Sequence, residues 1–277
     1  MTPQRVTNAL TVDFEDWYHG LEIAPSGWTG LEDRIELGAR RLLDLLHEKR
    51  VRATFFVLGI LAEKHPQLVR EIAAAGHEIG THGWSHTMVY RMTPEAFSAE
   101  LRRSIDLLEE LSGQRIVGHR APFFSITRRS LWALEILVQC GIRYDSSIFP
   151  VLNYRYGIED APRWPYPIDN GTAGTLTEFP ITTWRVFGRN IPVAGGAYFR
   201  ILPYAFTRTA YRAINRTGHH AVFYIHPWEL DPEHPRIPVP RRIAATHYAN
   251  LHVTEPRMRR LLTDFAFAPM KDVLGID

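Results

Sequence analysis

The sequence predicts an α/β protein built around a largely parallel sheet. Three observations favour this class. Short β-rich runs alternate with helical segments of ten or more residues, hydrophobic residues make up 45% of the chain, and glycines follow helical patterns at Gly76, Gly113 and Gly141. Strands joined in this way form a barrel or a wound sheet whose loops gather at the carboxyl ends of the strands.

The predicted elements follow one another regularly along the chain. Strands are predicted at "ALTVDF", "ATFFVLG", "HEIGTH", "IVGHRAP", "RYDSSIF" and "HAVFYIHP". Between them lie the helical segments "LEDRIELGARRLLDLLHEKR", "HPQLVREIAAAG", "TPEAFSAELRRSIDLLEELSG" and "TRRSLWALEILVQCG". The third of these has the clearest start, with Thr93 as N-cap and Pro94 at the first helical position.

The second half of the chain changes in composition. The segment from Val151 to Gly196 is rich in Pro, Gly and aromatic residues, which predicts a long insertion with short strands that walls a cleft. Two more helices are predicted, at "RILPYAFTRTAYRAINRTG" and "TEPRMRRLLTDF". Because no repeat or linker divides the sequence, we expect a single domain over residues 1–277.

Bulk properties bound the partners and the compartment. The formal net charge of +2 gives no reason to expect nucleic acid. The single cysteine, Cys140, has no internal disulfide partner. The longest apolar runs reach about ten residues, too short for a membrane span, and the amino terminus lacks the apolar core of roughly 7 to 15 residues that a secretory signal needs. If the chain is full length, these features predict a cytoplasmic protein without a transmembrane segment.

Three acids stand together in "TVDFEDWYHG", directly after the first predicted strand: Asp13, Glu15 and Asp16. A solvated acidic loop is one interpretation, since like charges in water cost each other only about 1 kcal/mol. The large apolar and aromatic neighbours favour burial instead. Buried carboxylates need shifted pKa values or a cation to neutralise them.

A histidine pair supplies a candidate cation site. His82 and His86 lie four residues apart in "HEIGTHGWSH", and a helical turn there would let both imidazoles hold one metal ion. The zinc-protease motif is excluded because Thr81 stands where its second histidine would follow His77 and Glu78. Two histidines leave a divalent metal underligated, and the usual third ligand is a carboxylate. Such a set accepts Zn²⁺, Co²⁺, Ni²⁺ or Mn²⁺.

Three further polar residues end predicted strands: Arg120 in "GHRAPFF", Asp145 in "YDSSIFP" and His226 in "VFYIHPWEL". Each alone has an ordinary structural interpretation. At a strand end of an α/β enzyme, however, a histidine is a natural proton donor, because its unperturbed pKa is about 6.5.

In this order the five motifs resemble those of the polysaccharide deacetylase family, the carbohydrate esterases with the NodB homology domain. Four segments resemble, more specifically, the deacetylase subfamily found in exopolysaccharide loci that are linked to the exosortase protein-sorting system. They are "VDFEDWYH", "GGAYFRILPY", "FYIHPWELDP" and "HYANLHVTEPRMRRLLTDFAF". That resemblance implies a distorted (β/α)7-type barrel, with a carboxyl-terminal helical extension over about residues 230–277. It also implies metal-dependent removal of N-acetyl groups from N-acetylhexosamine units of an exopolysaccharide or its precursor, in association with exopolysaccharide biosynthesis machinery.

The resemblance also implies roles for the motif residues. Asp13 would be the general base, oriented by Arg120, and His226 the general acid, tuned by Asp145. His82 and His86 would bind a divalent metal, most simply Zn²⁺, and a backbone N–H near Phe123 would help to stabilise the oxyanion.

The carboxylate ligand is open between two residues, because Phe14 separates the acids that are adjacent in the family's usual motif. Strand alternation puts Asp13 and Glu15 on one face, which favours Glu15. A turn starting after Phe14 would deliver Asp16 instead, and Asp is the more usual ligand in the family. We narrowly prefer Asp16. For His19, a polar contact, a substrate contact and a surface position are all open.

The substrate class is drawn from aromatic residues as well as from the resemblance. Trp164 and Trp184 in the insertion, with Trp228 after His226, suit stacking on sugar rings, although core packing is the alternative. Two other functions fit the same fold. One is a catalytically silent carbohydrate-binding protein, and the other is an amidohydrolase or deformylase acting on a small amide.

Overall fold

The computed structural model of the protein describes residues 6–276. Its strands, in chain order, are β1 (Thr7–Phe14), β2 (Thr54–Val57), β3 (Glu78–Thr81), β4 (Gly118–His119), β5 (Tyr144–Asp145), β6 (Tyr166–Asp169), β7 (Thr175–Glu178), β8 (Thr183–Val186), β9 (Arg189–Pro192), β10 (Val222–Ile225) and β11 (Ala266–Ala268). The main sheet has the order β10-β1-β2-β3-β4-β5-β7-β6, and β11 pairs with β1. Apart from the antiparallel β6–β7 pair, its strands run parallel, so the predicted α/β class is confirmed.

The helices occupy the connections between the strands. In chain order they are α1 (Ile35–Lys49), α2 (Gly59–Lys64), α3 (Pro66–Ala74), α4 (Pro94–Ser112), α5 (Trp132–Gln139), α6 (Gly196–Ile201), α7 (Tyr204–Arg216), α8 (Arg241–His247), α9 (Thr254–Asp264) and α10 (Met270–Leu274). Their apolar faces pack with the buried strands into one large core cluster. As predicted, α4 begins after Thr93, whose hydroxyl accepts the backbone N–H of Ala96 at 3.2 Å.

The parallel register brings the carboxyl ends of the strands to one edge. Phe14, at the end of β1, is opposite Val57, and the ladder continues across the sheet through Thr81, His119, Asp145 and Glu178. On the other side of β1, Val12 is opposite Ile225 in β10. The residues that follow β1, β3, β4 and β10 therefore start from the same edge of the sheet.

The two ends of the sheet approach each other through irregular chain. The Tyr224 N–H, in β10, donates to the carbonyl of Ala194, and Gly195 forms a bridge with Tyr224. Ala194 in turn follows Val193, whose N–H donates to the carbonyl of Thr182, beyond β7. Within residues 6–276 no regular ladder closes the sheet, which agrees with a distorted barrel.

Two local expectations differ from the structure. The predicted helix over "RILPYAFTRTAYRAINRTG" is two helices, α6 and α7, because Pro203 lies between them and its ring cannot continue α6. His82 and His86 lie on an irregular loop, where a helical turn was expected, and Gly83 and His86 both have positive φ angles.

The described helices contain no stretch that is both long enough and apolar enough to cross a lipid bilayer.

Candidate metal and catalytic site

Five of the polar residues singled out in the sequence lie at the common strand edge. Asp13 is the last residue but one of β1, His82 directly follows β3, Arg120 directly follows β4, and His226 directly follows β10. Glu15 comes one residue after β1. The parallel sheet thus gathers side chains that are up to 213 positions apart in the sequence.

Glu15, His82 and His86 form a compact buried cluster. Their ligand atoms all lie within 4.8 Å of one another. Glu15 Oε2 is 2.6 Å from His86 Nε2 and 4.0 Å from His82 Nε2. Each of the three side chains is almost fully buried.

The hydrogen bond that His82 makes through Nδ1 leaves its Nε2 available to bind a metal ion. Its Nδ1 lies 2.8 Å from the carbonyl oxygen of Arg120. A carbonyl can only accept, so Nδ1 carries the proton. Burial lowers the pKa of His82 to about 4, which keeps the ring neutral and leaves a lone pair on Nε2.

The charge state of Glu15 suits the same role. Burial raises the pKa of Glu15, but the imidazoles of His86, His226 and His82 outweigh burial and hold it below its usual range. His86 Nε2 is buried and makes no hydrogen bond of good geometry, although Glu15 Oε2 is close. A carboxylate, a neutral imidazole and an orphaned buried nitrogen form the donor set that a divalent metal such as zinc takes, with room for further ligands.

Asp16 lies elsewhere. Its carboxylate accepts the backbone N–H groups of Trp17 and Arg34, both at 2.8 Å, and of Ile35 at 3.1 Å. The N–H groups of Arg34 and Ile35 lie at the start of α1, where free N–H groups attract a carboxylate. The narrow preference for Asp16 as the metal ligand therefore does not agree with its placement, and Glu15 is the acid that reaches the histidines.

Asp13 is held by Arg120. The Arg120 guanidinium donates to Asp13 Oδ1 at 2.7 Å and to Thr11 Oγ1 at 2.7 Å. It is fixed from the other side by the carbonyl and hydroxyl of Ser146, at 3.0 and 2.9 Å. Arg120 is fully buried, so this pairing also neutralises its charge. The second carboxylate oxygen of Asp13, Oδ2, faces His226 Nε2 at 3.9 Å.

His226 completes the group from the β10 side. Its Nε2 lies 3.4 Å from Glu15 Oε1. Its Nδ1 lies 2.7 Å from Glu229 Oε1. Burial lowers the pKa of His226, but Glu15, Glu229 and Asp13 raise it to about 9.

Asp145 is not brought to His226. Its carboxylate bonds instead to His119 Nδ1 and to the Ser147 hydroxyl, both at 2.7 Å, and accepts the Ser147 N–H at 3.2 Å. The expected tuning of His226 by Asp145 does not agree with this placement, because parallel pairing puts Asp145 directly beside His119.

A cavity of about 480 Å³ opens at this edge, a volume typical of small-ligand sites. Its lining includes Asp13, Glu15, His82, His86 and His226. The rest of the wall comes from the insertion (Asn153 to Tyr156), from α6 and from α8 (Arg242, Ile243, Thr246 and His247). The predicted insertion therefore contributes a wall, and α8 contributes another.

Of the three tryptophans predicted to contact sugar, Trp228 lines the cavity and stacks on His226 with ring centroids 5.1 Å apart. Trp164 stacks on His219 at 3.9 Å, and Trp184 packs edge-on against Phe206 at 5.3 Å. Neither Trp164 nor Trp184 is among the cavity-lining residues, so their predicted substrate role does not agree with their placement.

Backbone strain is concentrated at the cavity. His86, Phe123 and Phe124, none of them glycine, have φ angles of 56°, 55° and 53°. Such conformations cost on the order of 1–3 kcal/mol each and persist where the surroundings enforce them. Phe123, proposed from the sequence as the source of an oxyanion N–H, lines the cavity and packs on His86 with ring centroids 4.5 Å apart.

His19 is buried behind the cluster. The backbone N–H of Asp16 donates to His19 Nδ1 at 3.0 Å, and its ring meets that of His86 edge-on at 5.5 Å. Burial lowers the pKa of His19 to about 3, so the ring is neutral. Of the positions left open for it, the structure shows a polar contact that supports the His86 side of the site.

Glu229, Arg200 and the α8 residues lie at the site but were not predicted from the sequence. A signal for Glu229 was available: it comes three residues after His226, and Pro227 favours the start of a helical turn, which places i and i+3 on one side. Arg200 and α8 had no such local signal.

The fold and the site define a class of protein: an α/β chain whose strand ends hold a His–His–carboxylate set beside an arginine-held aspartate and a histidine. Residues 29–144 match the polysaccharide deacetylase family model, and residues 146–275 match a domain of unknown function, DUF3473. The match over residues 29–144 agrees with the family that the motifs predicted.

One curated relative agrees with the match to the deacetylase family model. Peptidoglycan deacetylase of Helicobacter pylori is 30% identical over 157 residues, which cover 52% of this chain and 53% of that protein. The chain spans about half or less of the length of the curated relatives it matches first.

Solved structures confirm the fold. A probable polysaccharide deacetylase from Pseudomonas aeruginosa PAO1 superposes with a TM-score of 0.64 at 17% identity, covering 97% of this chain and 89% of that one. The Puue allantoinase gives a TM-score of 0.62 at 16% identity, covering 99% and 91%. The fold is therefore shared by proteins named for different substrates, and the substrate has to be argued from the site.

Proposed function

We propose that the chain is a metal-dependent hydrolase that removes N-acetyl groups from N-acetylhexosamine units of an exopolysaccharide or its biosynthetic precursor. One observation carries the proposal: a potential metal-ligand set and an arginine-held carboxylate face one cavity, and His226 Nε2 lies within 4 Å of both Glu15 and Asp13. Metal-assisted amide hydrolysis uses these three functions together.

A divalent ion, most simply Zn²⁺, held by Glu15, His82 and His86 would polarise the acetyl carbonyl and lower the pKa of a bound water. Co²⁺, Ni²⁺ and Mn²⁺ suit the same donors. The remaining roles belong to the protein's own side chains.

Asp13 would take the proton of the attacking water. Its Oδ1 is engaged by Arg120, which orients the carboxylate, while Oδ2 faces the cavity side occupied by His226. His226 would give its Nε2 proton to the departing amine as the C–N bond breaks. Phe123, at the cavity wall, offers a backbone N–H for the oxyanion.

The cavity supports a sugar substrate. Trp228 presents an indole on its wall next to His226, which suits stacking against a sugar ring. The choice of an exopolysaccharide, and of the biosynthesis machinery as a partner, rests on the resemblance of the segments quoted above. The H. pylori relative is named for peptidoglycan, so that polymer belongs in the assay.

The test is acetate release from N-acetylhexosamine oligomers, an N-acetylated exopolysaccharide and peptidoglycan, using protein loaded with Zn²⁺. We expect release by the parent and a loss of about 10² to 10⁴-fold in Asp13→Asn, the range typical of a general base. Asp160→Asn is the control, because Asp160 pairs with Arg128 on the surface.

Two outcomes would replace the proposal. Oligosaccharide binding without acetate release at any metal would favour the catalytically silent carbohydrate-binding protein. Hydrolysis of a small cyclic or formylated amide, with no release from the saccharides, would favour the amidohydrolase. Equal release by the parent and Asp13→Asn would refute the base assignment alone.

A further inference from the structure

A buried chain of charged groups links His226, Glu229 and Arg200, all within the region matched as a domain of unknown function. Glu229 Oε1 accepts the Nδ1 proton of His226 at 2.7 Å and the backbone N–H of His226 at 3.2 Å. Glu229 is 1% exposed and sits in the 3₁₀ turn Pro227–Leu230. From the cavity side, His226 Nε2 is the ring atom that faces Asp13 and Glu15.

Glu229 is fixed in turn by Arg200. The Arg200 Nε donates to Glu229 Oε2 at 2.6 Å. Arg200 comes from α6 and is 1% exposed. The pair neutralises two buried charges, and each holds the other in one rotamer.

Arg200 is anchored at its far end on α8. Its guanidinium donates to the carbonyls of Thr246 at 2.9 Å and His247 at 3.0 Å, and also to the carbonyl of Ala249. These carbonyls lie at the carboxyl end of α8, where unpaired C=O groups and the helix dipole attract a cation. The same helix lines the cavity.

We propose that Glu229 is the positioning residue of His226, and that Arg200 couples this residue to α8, so the carboxyl-terminal region builds part of the catalytic site. This inference rests on the proposed function. Asp145, the partner expected for His226 from the family resemblance, is committed to His119 and Ser147.

The role is to hold one ring orientation and one tautomer. With Nδ1–H bonded to Glu229, Nε2 stays directed into the cavity. In the leaving step the Nε2 proton passes to the amine nitrogen, the C–N bond breaks, and acetate and the free amine result. Glu229 stays ionised and Nδ1 keeps its proton throughout this step. The attacking water supplies the one oxygen atom that the acetate gains.

The experiment compares two acetyl substrates in the Zn²⁺-loaded protein. N-acetylhexosamine oligomers have an amine leaving group that must be protonated, whereas 4-nitrophenyl acetate has a phenolate leaving group that needs no proton. We expect Glu229→Gln to lower kcat on the amide about 100-fold, the size of a general-acid contribution, with KM within threefold. On the ester, the same variant should stay within threefold of the parent.

Asp231→Asn is the matched control. Asp231 directly follows the same turn and is as deeply buried, but it pairs with Arg34 and does not contact His226. Both activities should be unchanged in this variant. Thermal unfolding and zinc content of every variant show that it is folded and loaded. If Glu229→Gln does not fold, Glu229→Asp keeps the charge and shifts the carboxylate, and the same ester-to-amide contrast applies.

Equal losses on amide and ester in a folded, loaded Glu229→Gln protein would overturn the positioning role, as would full amide activity. The tautomer provides a readout that does not depend on turnover. In long-range ¹H–¹⁵N spectra of the metal-free protein, recorded above the His226 pKa of about 9 so that the ring is neutral and with His226→Gln used for assignment, His226 should carry its proton on Nδ1 in the parent and lose this preference in Glu229→Gln. A parent that shows this tautomer yet releases no acetate would refute the proposed function and leave the Glu229–His226 contact established.

Discussion

The choice between Glu15 and Asp16 can be decided by one pair of substitutions. Glu15→Gln keeps the size of the side chain but removes the carboxylate that lies 2.6 Å from His86 Nε2. Asp16→Ala removes the carboxylate that accepts the backbone N–H of Trp17 and the two N–H groups of Arg34 and Ile35 at the start of α1. If Glu15 is the ligand, the two changes should affect different properties.

The expected magnitudes follow from these contacts. Loss of an outer-shell partner of a ligand already costs about 10 to 100-fold in metal affinity, so loss of the ligand itself should cost at least about 100-fold, or roughly 3 kcal/mol. Asp16→Ala leaves the N–H groups of Trp17 and Arg34 without a protein partner, whereas the Ile35 N–H keeps Asp33 Oδ1 at 3.3 Å. At about 1 kcal/mol for each lost partner, the free energy of unfolding should fall by about 2 kcal/mol. Glu15→Gln keeps the shape of the side chain, and its diagnostic effect is the loss of zinc affinity.

Zinc affinity is measured by competition with a chromophoric chelator, and stability by urea unfolding of the metal-free proteins. Asp16→Asn is the conservative control, since its amide oxygen still accepts N–H groups, and it should bind zinc like the parent. The assignment of Glu15 as the carboxylate ligand is refuted if Asp16→Asn loses zinc affinity while Glu15→Gln keeps it.

Three other outcomes are expected. Gly38→Ala would place a Cβ 2.2 Å from the carbonyl oxygen of Pro227; this overpacking should cost about 1–3 kcal/mol in urea unfolding and lower acetate release, and unchanged stability would contradict the close contact. Thr93→Ala should cost about 1 kcal/mol through the lost helix cap with acetate release unchanged, so an activity loss would show a role that the contacts do not reveal. For Glu229, burial raises the pKa but Arg200 and the adjacent imidazole lower it to about 2. A depressed carboxyl pKa stabilises the fold above the unfolded pKa of about 4.5, and about 2 kcal/mol should be lost between pH 6 and pH 3. Urea unfolding across this range should show that loss in the parent and a smaller loss in Glu229→Gln.

Much of the fold was predictable because its signals are local. The alternation of strands and helices, the Thr93 cap and the glycines after helices each depend on a few neighbouring residues. The failures also have physical causes. Pro203 divided a helix whose apolar pattern continued across it, and the His82–His86 segment took a strained loop that no propensity favours.

The candidate site was predictable as a set of strand-end residues. Asp13, His82, Arg120 and His226 each follow or end a β-rich run, and parallel strands bring such residues to one edge whatever their separation in sequence. Aromatic residues were less informative, because stacking on sugar and packing in a core need the same side chains. Trp164 is an example, since it packs on His219 away from the cavity.

The sequence by itself determined the fold class, the family resemblance and the residue types at the strand ends, because these follow from local periodicity and from short motifs. Only the tertiary structure decided where each acid lies and which groups it contacts. Asp16 is drawn to N–H groups that lie 18 and 19 positions later, at the start of α1, and this leaves Glu15 for the histidines. Likewise, Glu229 rather than Asp145 meets His226, because the register places Asp145 beside His119. Both outcomes depend on groups that become neighbours only when the chain is packed, so no local pattern could show them.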